Sequence, residues 1–310
     1  MYRGKITDVK GIEVGHAQNL EAGTGCTVVI CRKGAVAGVD VRGSAPGTRE
    51  TDLMRPGNLV DRVHAIVLSG GSAFGLAAAD GVMKYLEEEG VGFDTGVALV
   101  PIVGGAVLFD LAYKDSKVRP DAAMGYEACV NATAQMVEQG SVGAGSGATV
   151  GKLLGMESAM KGGIGTASLR LAGGIVVGAI VAVNAFGDVV DLNNRNIIAG
   201  ARDPKTGHFI DTCKYLMSTN EHKTSFSGNT TIGVVATNAK LTKEQANKLA
   251  SISHDGLALA ILPVHTMVDG DTMFALSTGE VEGDMVAIGC AAVEVTARAI
   301  INAVKYANYK

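Results

Sequence analysis

A turn followed by an apolar, β-branched run lies in the second half of the chain: Ser227-Gly228-Asn229-Thr230-Thr231-Ile232-Gly233-Val234-Val235-Ala236-Thr237. Residues 231 to 236 predict a buried strand, because β-branched and aliphatic side chains fill a pleated surface well. The three residues Ser227-Gly228-Asn229 predict a turn before it. Thr230 is therefore expected at a turn-to-strand junction.

The position of Thr230 suggests nucleophilic chemistry. A threonine hydroxyl is a weak nucleophile until a base takes its proton, and one available base is the α-amine of the same residue, freed by cleavage of the preceding peptide bond. An α-amine has a pKa of about 7.7 to 8.0, so it is partly neutral near physiological pH. The same hydroxyl can attack the Asn229 carbonyl in an N-to-O acyl shift, and hydrolysis of the ester completes the cleavage. Intramolecular attack is favoured because held reactants reach effective molarities of roughly 10⁵ to 10⁸ M.

Two plainer interpretations of the same residues stay open at this point. Gly228-Asn229 before a strand is typical of an ordinary turn. Asn229-Thr230-Thr231 also matches the N-glycosylation pattern, which has meaning only in a secreted chain.

Composition indicates one compact domain over residues 1–310. The chain is 47% hydrophobic with 42 glycines, and no Pro-, Ser- or charge-rich linker interrupts it. A net charge of -4, the absence of Trp and an aromatic content of 5% argue against a nucleic-acid partner. The segment Met1-Tyr2-Arg3-Gly4-Lys5 lacks the apolar character of a signal peptide, so we expect none. The longest apolar stretch, Gly173 to Phe186, is too short for a bilayer. We expect no membrane partner.

Cysteines and histidines argue against metals and cofactors. The five cysteines are odd in number and lie mostly in apolar segments, which is typical of reduced core residues in a cytoplasmic protein. No Cys-x-x-Cys or His-x-x-x-His spacing occurs, and the six histidines are dispersed. We therefore expect no metal, no cofactor and no catalytic histidine.

Several further elements follow from local patterns. Thr27 to Cys31 and Ala35 to Val41 predict two strands of a hairpin. Pro120 to Gln139 predicts a helix opened by its proline. The polar segment Asp188 to His222 predicts an exposed linker leading to the scissile bond. A capping box at Thr242 and Gln245 predicts a helix to about residue 262, and residues 283 to 306 predict a final amphipathic helix.

Asp269-Gly270-Asp271 is the second chemical constellation. In extended conformation the two carboxylates point to one face, and the proximity of two negative charges should raise one pKa. Such a pair can accept a hydroxyl proton or anchor an ammonium. An ordinary acidic turn explains the same residues.

Lys152 and Asn184 complete the candidate site. Lys152 ends a glycine-rich stretch that lacks the residues of a phosphate loop, so nucleotide binding is not expected there, and a solvated lysine is the plain alternative. Asn184 ends an apolar strand, where its amide can donate to an oxyanion or simply begin a turn.

With Thr230 and Asp269-Gly270-Asp271 established, the chain resembles the self-processing aminopeptidase/D-esterase family, which includes the β-peptide aminopeptidases and the 6-aminohexanoate (nylon) oligomer hydrolase. The likeness extends over nearly the whole chain. The blocks that carry it are Ile6-Thr7-Asp8-Val9, Gly11-Ile12-Glu13-Val14-Gly15-His16, Gly25-Cys26-Thr27-Val28, Val41-Arg42-Gly43, Gly47-Thr48-Arg49-Glu50-Thr51, Leu68-Ser69-Gly70-Gly71-Ser72-Ala73-Phe74-Gly75-Leu76, Gly145-Ser146-Gly147-Ala148-Thr149-Val150-Gly151-Lys152, Asn229-Thr230-Thr231 and Asp269-Gly270-Asp271-Thr272.

The resemblance implies an α/β (α+β) fold in which helices cover two central sheets in a four-layer arrangement, similar to N-terminal-nucleophile hydrolases but with its own connectivity. It implies cleavage into an α-chain, 1–229, and a β-chain, 230–310, which usually assemble as a homotetramer. Thr230 would be the nucleophile and Asn184 the oxyanion donor. Lys152 would support either of them, and Asp269 with Asp271 would orient the Thr230 amine and hydroxyl.

Departures from the aminopeptidase branch place the chain nearer the nylon-oligomer hydrolase. The aminopeptidase branch commonly uses serine as the nucleophile and a Ser-x-Glu pair, whereas this chain has Thr230 and Asp-x-Asp. It also contributes a tyrosine where this chain has Gly104 and Gly105. The function expected is hydrolysis of amide bonds in peptides or amino-acid oligomers. Acyl transfer on a related self-cleaving fold and a non-catalytic oligomeric binding protein are the alternatives.

Overall fold

The computed structural model describes residues 1–219 and 228–309. Within them the strands are β1 (Glu13–Asn19), β2 (Thr24–Val41), β3 (Thr48–Arg49), β4 (Arg62–Ser69), β5 (Phe93–Asp94), β6 (Leu99–Val100), β7 (Val103–Val107), β8 (Thr149–Val150), β9 (Met160–Lys161), β10 (Gly163–Arg170), β11 (Val176–Asn184), β12 (Asp188–Val190), β13 (Ile197–Ala199), β14 (Thr230–Ala239), β15 (Ile261–Leu262) and β16 (Thr272–Val281). The α-helices are α1 (Ala78–Glu88), α2 (Ala122–Val130), α3 (Thr212–Ser218), α4 (Lys243–Ala260) and α5 (Met285–Asn308). Short 3-10 helices cover Ile6–Asp8, Asp52–Met54, Ser72–Ala77, Gly143–Gly145 and Ala172–Gly174.

A nine-stranded mixed sheet forms the centre of the fold, in the order β10-β11-β14-β16-β2-β4-β7-β3, with β1 beside β2. The long strand β2 connects its two halves. Residues 36–41 of β2 pair with β16, whereas residues 24–30 pair with β1 and residues 26–30 with β4. The sheet therefore has one continuous hydrogen-bonded path but two differently partnered halves.

Three hydrophobic clusters show that these halves pack face to face. One cluster joins Val28 and Val67 to the α1–α2 pair through residues such as Val82. A middle cluster joins the other face of β2 and β4 to β11, β14 and β16. The third joins the outer face of β10, β11 and β14 to α4 and α5. The layers are helix, sheet, sheet and helix, so the predicted four-layer α/β architecture is confirmed.

Strand β14 confirms the buried strand predicted after Thr230. All ten of its residues are buried, and it lies between β11, which is antiparallel to it, and β16, which is parallel. The register places Thr230 opposite Asn184, and Ile232 opposite Thr272. Residues distant in sequence thus meet at the start of β14. Ser227, the first residue of the predicted turn, lies outside the described residues.

The hairpin predicted from residues 27 to 41 is wrong. Both apolar runs belong to the single strand β2, and Arg32-Lys33-Gly34 falls in an irregular segment where the register with β4 shifts between Ile30 and Ala35. A bulge and a hairpin turn use the same local residues, so local sequence did not distinguish them.

The helix predicted over residues 120 to 139 is much shorter. Helix α2 begins after Asp121, whose side chain accepts from the Met124 N–H, and it ends at Val130. The following residues bond to other elements instead, with Thr133 bridging to Val14 in β1.

The exposed linker predicted from Asp188 onward is wrong for its first part. Asp188 is buried at the start of β12 and accepts hydrogen bonds from the N–H groups of Ala201 and Thr212, each at 2.8 Å. Burial raises the pKa of its carboxyl to about 6. Asp188 therefore holds the backbone at Ala201 and Thr212 through buried hydrogen bonds. The end of the predicted linker, residues 220 to 222, lies outside the described residues.

Helix α5 is long and apolar enough to cross a membrane by length and composition. In the fold it is largely buried, and residues such as Val295, Ala299 and Ile300 pack beneath the sheet. Its apolar character is thus accounted for by the core.

We predict that Gly165→Ala lowers the thermal unfolding midpoint by several degrees. A Cβ on Gly165 would meet the backbone at Ala299 and Ala303, where α5 crosses β10 closely. Overpacking of this kind costs about 1–3 kcal/mol. Gly289→Ala on the same helix is the control, since its nearest neighbour is the flexible end of Ile252 at 3.2 Å. Equal midpoints for both variants, measured by calorimetry, would contradict the close packing.

Candidate active site

Four separate segments meet at the start of β14. They are the end of the glycine-rich stretch at Lys152, the end of β11 at Asn184, the Asn229–Thr230 junction, and the Asp269–Asp271 loop before β16. All six residues that the sequence predicted for the site are buried: Lys152, Asn184, Asn229, Thr230, Asp269 and Asp271.

The Thr230 hydroxyl lies against the carbonyl of the peptide bond that precedes it. Its Oγ1 hydrogen-bonds to the Asn229 carbonyl oxygen. The backbone N–H of Gly270 donates to the same oxygen at 3.0 Å. The carbonyl expected to be attacked is therefore already polarised by a backbone donor, as in an oxyanion hole.

Gly270 is a functional position that the sequence did not reveal. A Cβ added to it would lie 2.8 Å from Thr230 Oγ1 and 2.5 Å from the Ala45 carbonyl oxygen. A side chain would press on the hydroxyl, so glycine permits the close approach. The flanking carboxylates are visible in the sequence, whereas a backbone N–H leaves no signal in residue type.

Asp271 connects the nucleophile strand to the loop before β16. Its Oδ1 accepts from the Thr231 N–H at 2.6 Å. Its Oδ2 accepts from the His265 backbone N–H at 3.2 Å and hydrogen-bonds with His265 Nδ1 at 2.7 Å. One oxygen of this carboxylate thus holds the residue that follows Thr230, and the other is held by His265.

Asp269 is held by its own loop. Its Oδ2 accepts from the backbone N–H and the hydroxyl of Thr266, at 2.9 and 2.5 Å. Its backbone bridges to Asn229. Burial is the largest cause, and the negative charge of Asp271 the second, of a rise in the pKa of the Asp269 carboxyl to about 6. This agrees with the expectation that one carboxyl of the pair would be raised.

Asn184 has a defined amide orientation because its partners are of opposite kinds. Its Oδ1 accepts from the Thr149 N–H at 3.0 Å and from Lys152 Nζ at 2.9 Å. Its Nδ2 donates to the Phe109 carbonyl at 2.9 Å and to the Gly228 carbonyl at 3.4 Å. The N–H edge of Asn184 therefore faces the backbone next to the candidate scissile bond.

Lys152 is buried and does not serve as a solvated lysine. Its Nζ donates to the Asn184 backbone carbonyl at 3.0 Å as well as to Oδ1. Burial lowers the pKa of its ammonium to about 7, although the charge of Asp269 opposes that shift. Lys152 thus orients Asn184 and titrates near neutrality.

A cavity of about 100 Å³ lies beside Thr230. Pro46, Val107, Leu108, Phe109 and Val268 give it an apolar wall, and Gly228 and Asn229 occupy one side. The described residues that line it are uncharged. Across residues 1–219 and 228–309, no group of three His, Cys, Asp or Glu side chains is arranged to hold a metal ion.

Ser72 also lines this cavity. Its φ is +54°, and it begins the 3-10 helix Ser72–Ala77 after Gly71, so it forms a tight turn. Gly71 occupies the cap position of this short helix.

The four-layer fold and the threonine hydroxyl against its own preceding carbonyl are the features expected of an amide hydrolase. Residues 4–309 match the model of peptidase family S58. The chain belongs to peptidase family S58, and the predicted family resemblance is confirmed.

Named relatives agree with this assignment. The chain is 43% identical to an uncharacterized aminopeptidase of Mycobacterium leprae, over 96% of this chain and 89% of that protein. It is 33% identical to the 6-aminohexanoate-oligomer endohydrolase of Kocuria sp., over 89% of this chain and 75% of that protein. Both names describe hydrolysis of amide bonds, as expected for this chain.

Solved structures support the fold. A beta-aminopeptidase of Burkholderia sp. matches with a TM-score of 0.71 and 24% identity, over 99% of this chain and 88% of that one. The L-aminopeptidase D-Ala-esterase/amidase of Ochrobactrum anthropi, titled a variant of the Ntn hydrolase fold, matches with a TM-score of 0.74 and 20% identity, over 98% and 86%.

We predict that Asp269→Asn stabilises the protein at pH 8 but not at pH 4. The raised pKa of Asp269 means that the folded state holds its proton more tightly than the unfolded state, so ionisation lowers stability as pH rises from about 4 to about 6, and the loss then stays constant at higher pH. Asparagine removes that cost. Thermal midpoints of both proteins at pH 4 and pH 8 measure it, and a gain that is equal at the two pH values would contradict the argument.

Proposed function

We propose that the protein cleaves itself between Asn229 and Thr230 and then hydrolyses amides through an acyl-enzyme on Thr230. The observation that carries the proposal is the Thr230 hydroxyl held against the Asn229 carbonyl, with the Gly270 N–H on the same oxygen. The products are an α-chain, 1–229, and a β-chain, 230–310, which remain associated because β14 pairs on both sides with strands of the common sheet. The two chains together form one domain.

Self-cleavage begins with attack of Thr230 Oγ1 on the Asn229 carbonyl carbon. The hydroxyl proton passes to a base, negative charge develops on the Asn229 oxygen, and the Gly270 N–H stabilises it. The C–N bond to Thr230 breaks, its nitrogen takes a proton, and an ester forms. Water then hydrolyses the ester and leaves the Asn229 carboxylate and a free Thr230 amine.

Substrate hydrolysis repeats the attack with the new amine as the nearby base. Thr230 Oγ1 attacks an amide carbonyl, the amine product leaves with a proton, and water hydrolyses the acyl-enzyme. Asn184 Nδ2, oriented by Lys152 and Thr149, is the proposed side-chain donor to the oxyanion. Asp269 and Asp271 hold the segments on either side of Thr230. These roles need no cofactor.

Peptides and amino-acid oligomers are the proposed substrates. The relatives named as aminopeptidases and as a 6-aminohexanoate-oligomer endohydrolase support this class. The uncharged, largely apolar wall of the cavity suits an acyl group without a charge near its carbonyl. The names of these relatives favour hydrolysis over acyl transfer or a non-catalytic binding role.

We also propose that the processed protein works as a cytoplasmic homotetramer of two-chain units. Family resemblance supports the tetramer, and the five unpaired cysteines suit a reducing compartment. Light scattering gives the mass of the assembly, and fractionation of the source cells gives its location.

Thr230→Ala should stay uncut and inactive, because it removes the only atom proposed to attack. Thr230→Ser keeps a hydroxyl and should still be processed. Intact mass under denaturing conditions, with N-terminal sequencing, distinguishes a full-length chain from fragments of 229 and 81 residues. An uncut Thr230→Ala variant with full amidase activity would refute the proposed mechanism.

The rate of self-cleavage should rise between about pH 5 and pH 8. A group accepts the Thr230 proton only when deprotonated, and the pKa values of Asp269 and Lys152 are about 6 and about 7. A precursor made by cell-free translation, shifted to each pH and followed by mass spectrometry, measures the rate. A rate that falls over this range would exclude both groups as the proton acceptor.

A further inference from the structure

We infer that His265 is a positioning residue that fixes Asp271, and through it the start of the nucleophile strand. The inference rests on the proposed function, since it concerns the same site. It gives a role to a histidine for which the sequence indicated none.

Two contacts clamp one oxygen of Asp271. His265 Nδ1 lies 2.7 Å from Asp271 Oδ2, and the His265 backbone N–H donates to the same oxygen at 3.2 Å. Asp271 is 1% exposed at its side chain, so these contacts replace water. A ring nitrogen that faces a carboxylate oxygen carries a proton, so Nδ1 is the donor.

The other oxygen of Asp271 transmits this position to the nucleophile. Asp271 Oδ1 accepts from the Thr231 N–H at 2.6 Å. Thr231 follows Thr230 directly, so rotation of the Asp271 carboxylate would move the backbone that carries the hydroxyl. Displacements of about 1 Å near reacting atoms cost up to 10²-fold in rate.

The conformation of His265 indicates that this placement is enforced. Its φ is +55°, in the left-handed region that a non-glycine residue seldom adopts. Conformations of this kind persist where the surroundings over-determine them, and they cluster at functional sites. Here the left-handed backbone lets the main-chain N–H and the ring of one residue reach the same carboxylate oxygen.

The ring of His254 packs against the ring of His265. The two imidazoles meet edge to face, with centroids 4.8 Å apart. His254 Nε2 donates to the Asp40 carbonyl at 3.0 Å, and burial lowers the pKa of His254 to about 4. His254 is therefore neutral near pH 7, and its packed ring limits rotation of His265.

Variants at residue 265 test the contribution of the imidazole ring separately from that of the left-handed backbone. His265→Gly tolerates the left-handed φ but has no side-chain donor. His265→Asn also tolerates this φ, and its amide can donate from nearly the position of Nδ1. We expect self-cleavage to slow by about 10- to 100-fold in the glycine variant, the loss typical of a hydrogen bond to a charged group, and to recover most of that rate in the asparagine variant.

Arg195→Gly is the matched control, because Arg195 has a φ of +61° in the exposed turn between β12 and β13. It should be processed at the wild-type rate. Where processing runs to completion, kcat of the processed enzyme should follow the same order with KM nearly unchanged, since His265 acts on the nucleophile and lies outside the residues that line the cavity.

The outcomes separate this inference from the proposed function. An uncut wild-type chain would overturn the self-cleavage itself. With a processed wild type, a folded His265→Gly that cleaves at the wild-type rate, or a His265→Asn that is as slow as the glycine variant, overturns the role of His265. Should His265→Gly fail to fold by circular dichroism, His265→Ala replaces it, with Arg195→Ala as the control for a non-glycine residue at a left-handed φ. A folded His265→Ala that cleaves as fast as His265→Asn would equally overturn the role of His265.

Discussion

The site depends on the pairing of β14 between an antiparallel and a parallel neighbour. The antiparallel register with β11 places Asn184 opposite Thr230, and the parallel pairing with β16 brings the Asp269–Asp271 loop to the same end of the strand. No local interaction joins these segments, which are separated by tens of residues in sequence. A shift of one residue in either register would turn the side chains to the opposite face and disperse the site.

Burial of that junction shifts the pKa values of its charged groups and also has a cost in stability. Lys152 is 3% exposed and Asp269 2%, so each charge is poorly solvated, and the two pKa values move toward each other, to about 7 and about 6. Groups that titrate near neutrality exchange protons readily with a hydroxyl or an amine. The same desolvation makes the ionised carboxylate unfavourable in the folded state, which is the usual conflict between function and stability at an active site.

Sequence was sufficient for elements whose signal is local. The apolar run after Thr230, the capping box at Thr242 and the acidic pair at 269 and 271 each predicted what the structure contains. Sequence failed where the conformation depends on a strand distant in the chain. Residues 32–34 predict a hairpin turn, but because the residues on either side pair with β4 they form an irregular segment of β2. Sequence also missed Gly270 and His265, because a backbone N–H and a left-handed φ leave no mark in residue type.

Two donors in this site address different carbonyls, and the difference follows from their positions. The Gly270 N–H lies on the Asn229 carbonyl, the group attacked in self-cleavage. The Asn184 amide donates to the carbonyl of Phe109 and to the carbonyl of Gly228. Gly228 is the residue before Asn229 in the chain. Under the proposed mechanism, departure of Gly228 and Asn229 from the cavity would free the Asn184 amide for a substrate. The backbone donor would then be needed first for processing, and the side-chain donor would become available only in the processed enzyme. One buried cluster would thus perform two successive acyl transfers with one nucleophile.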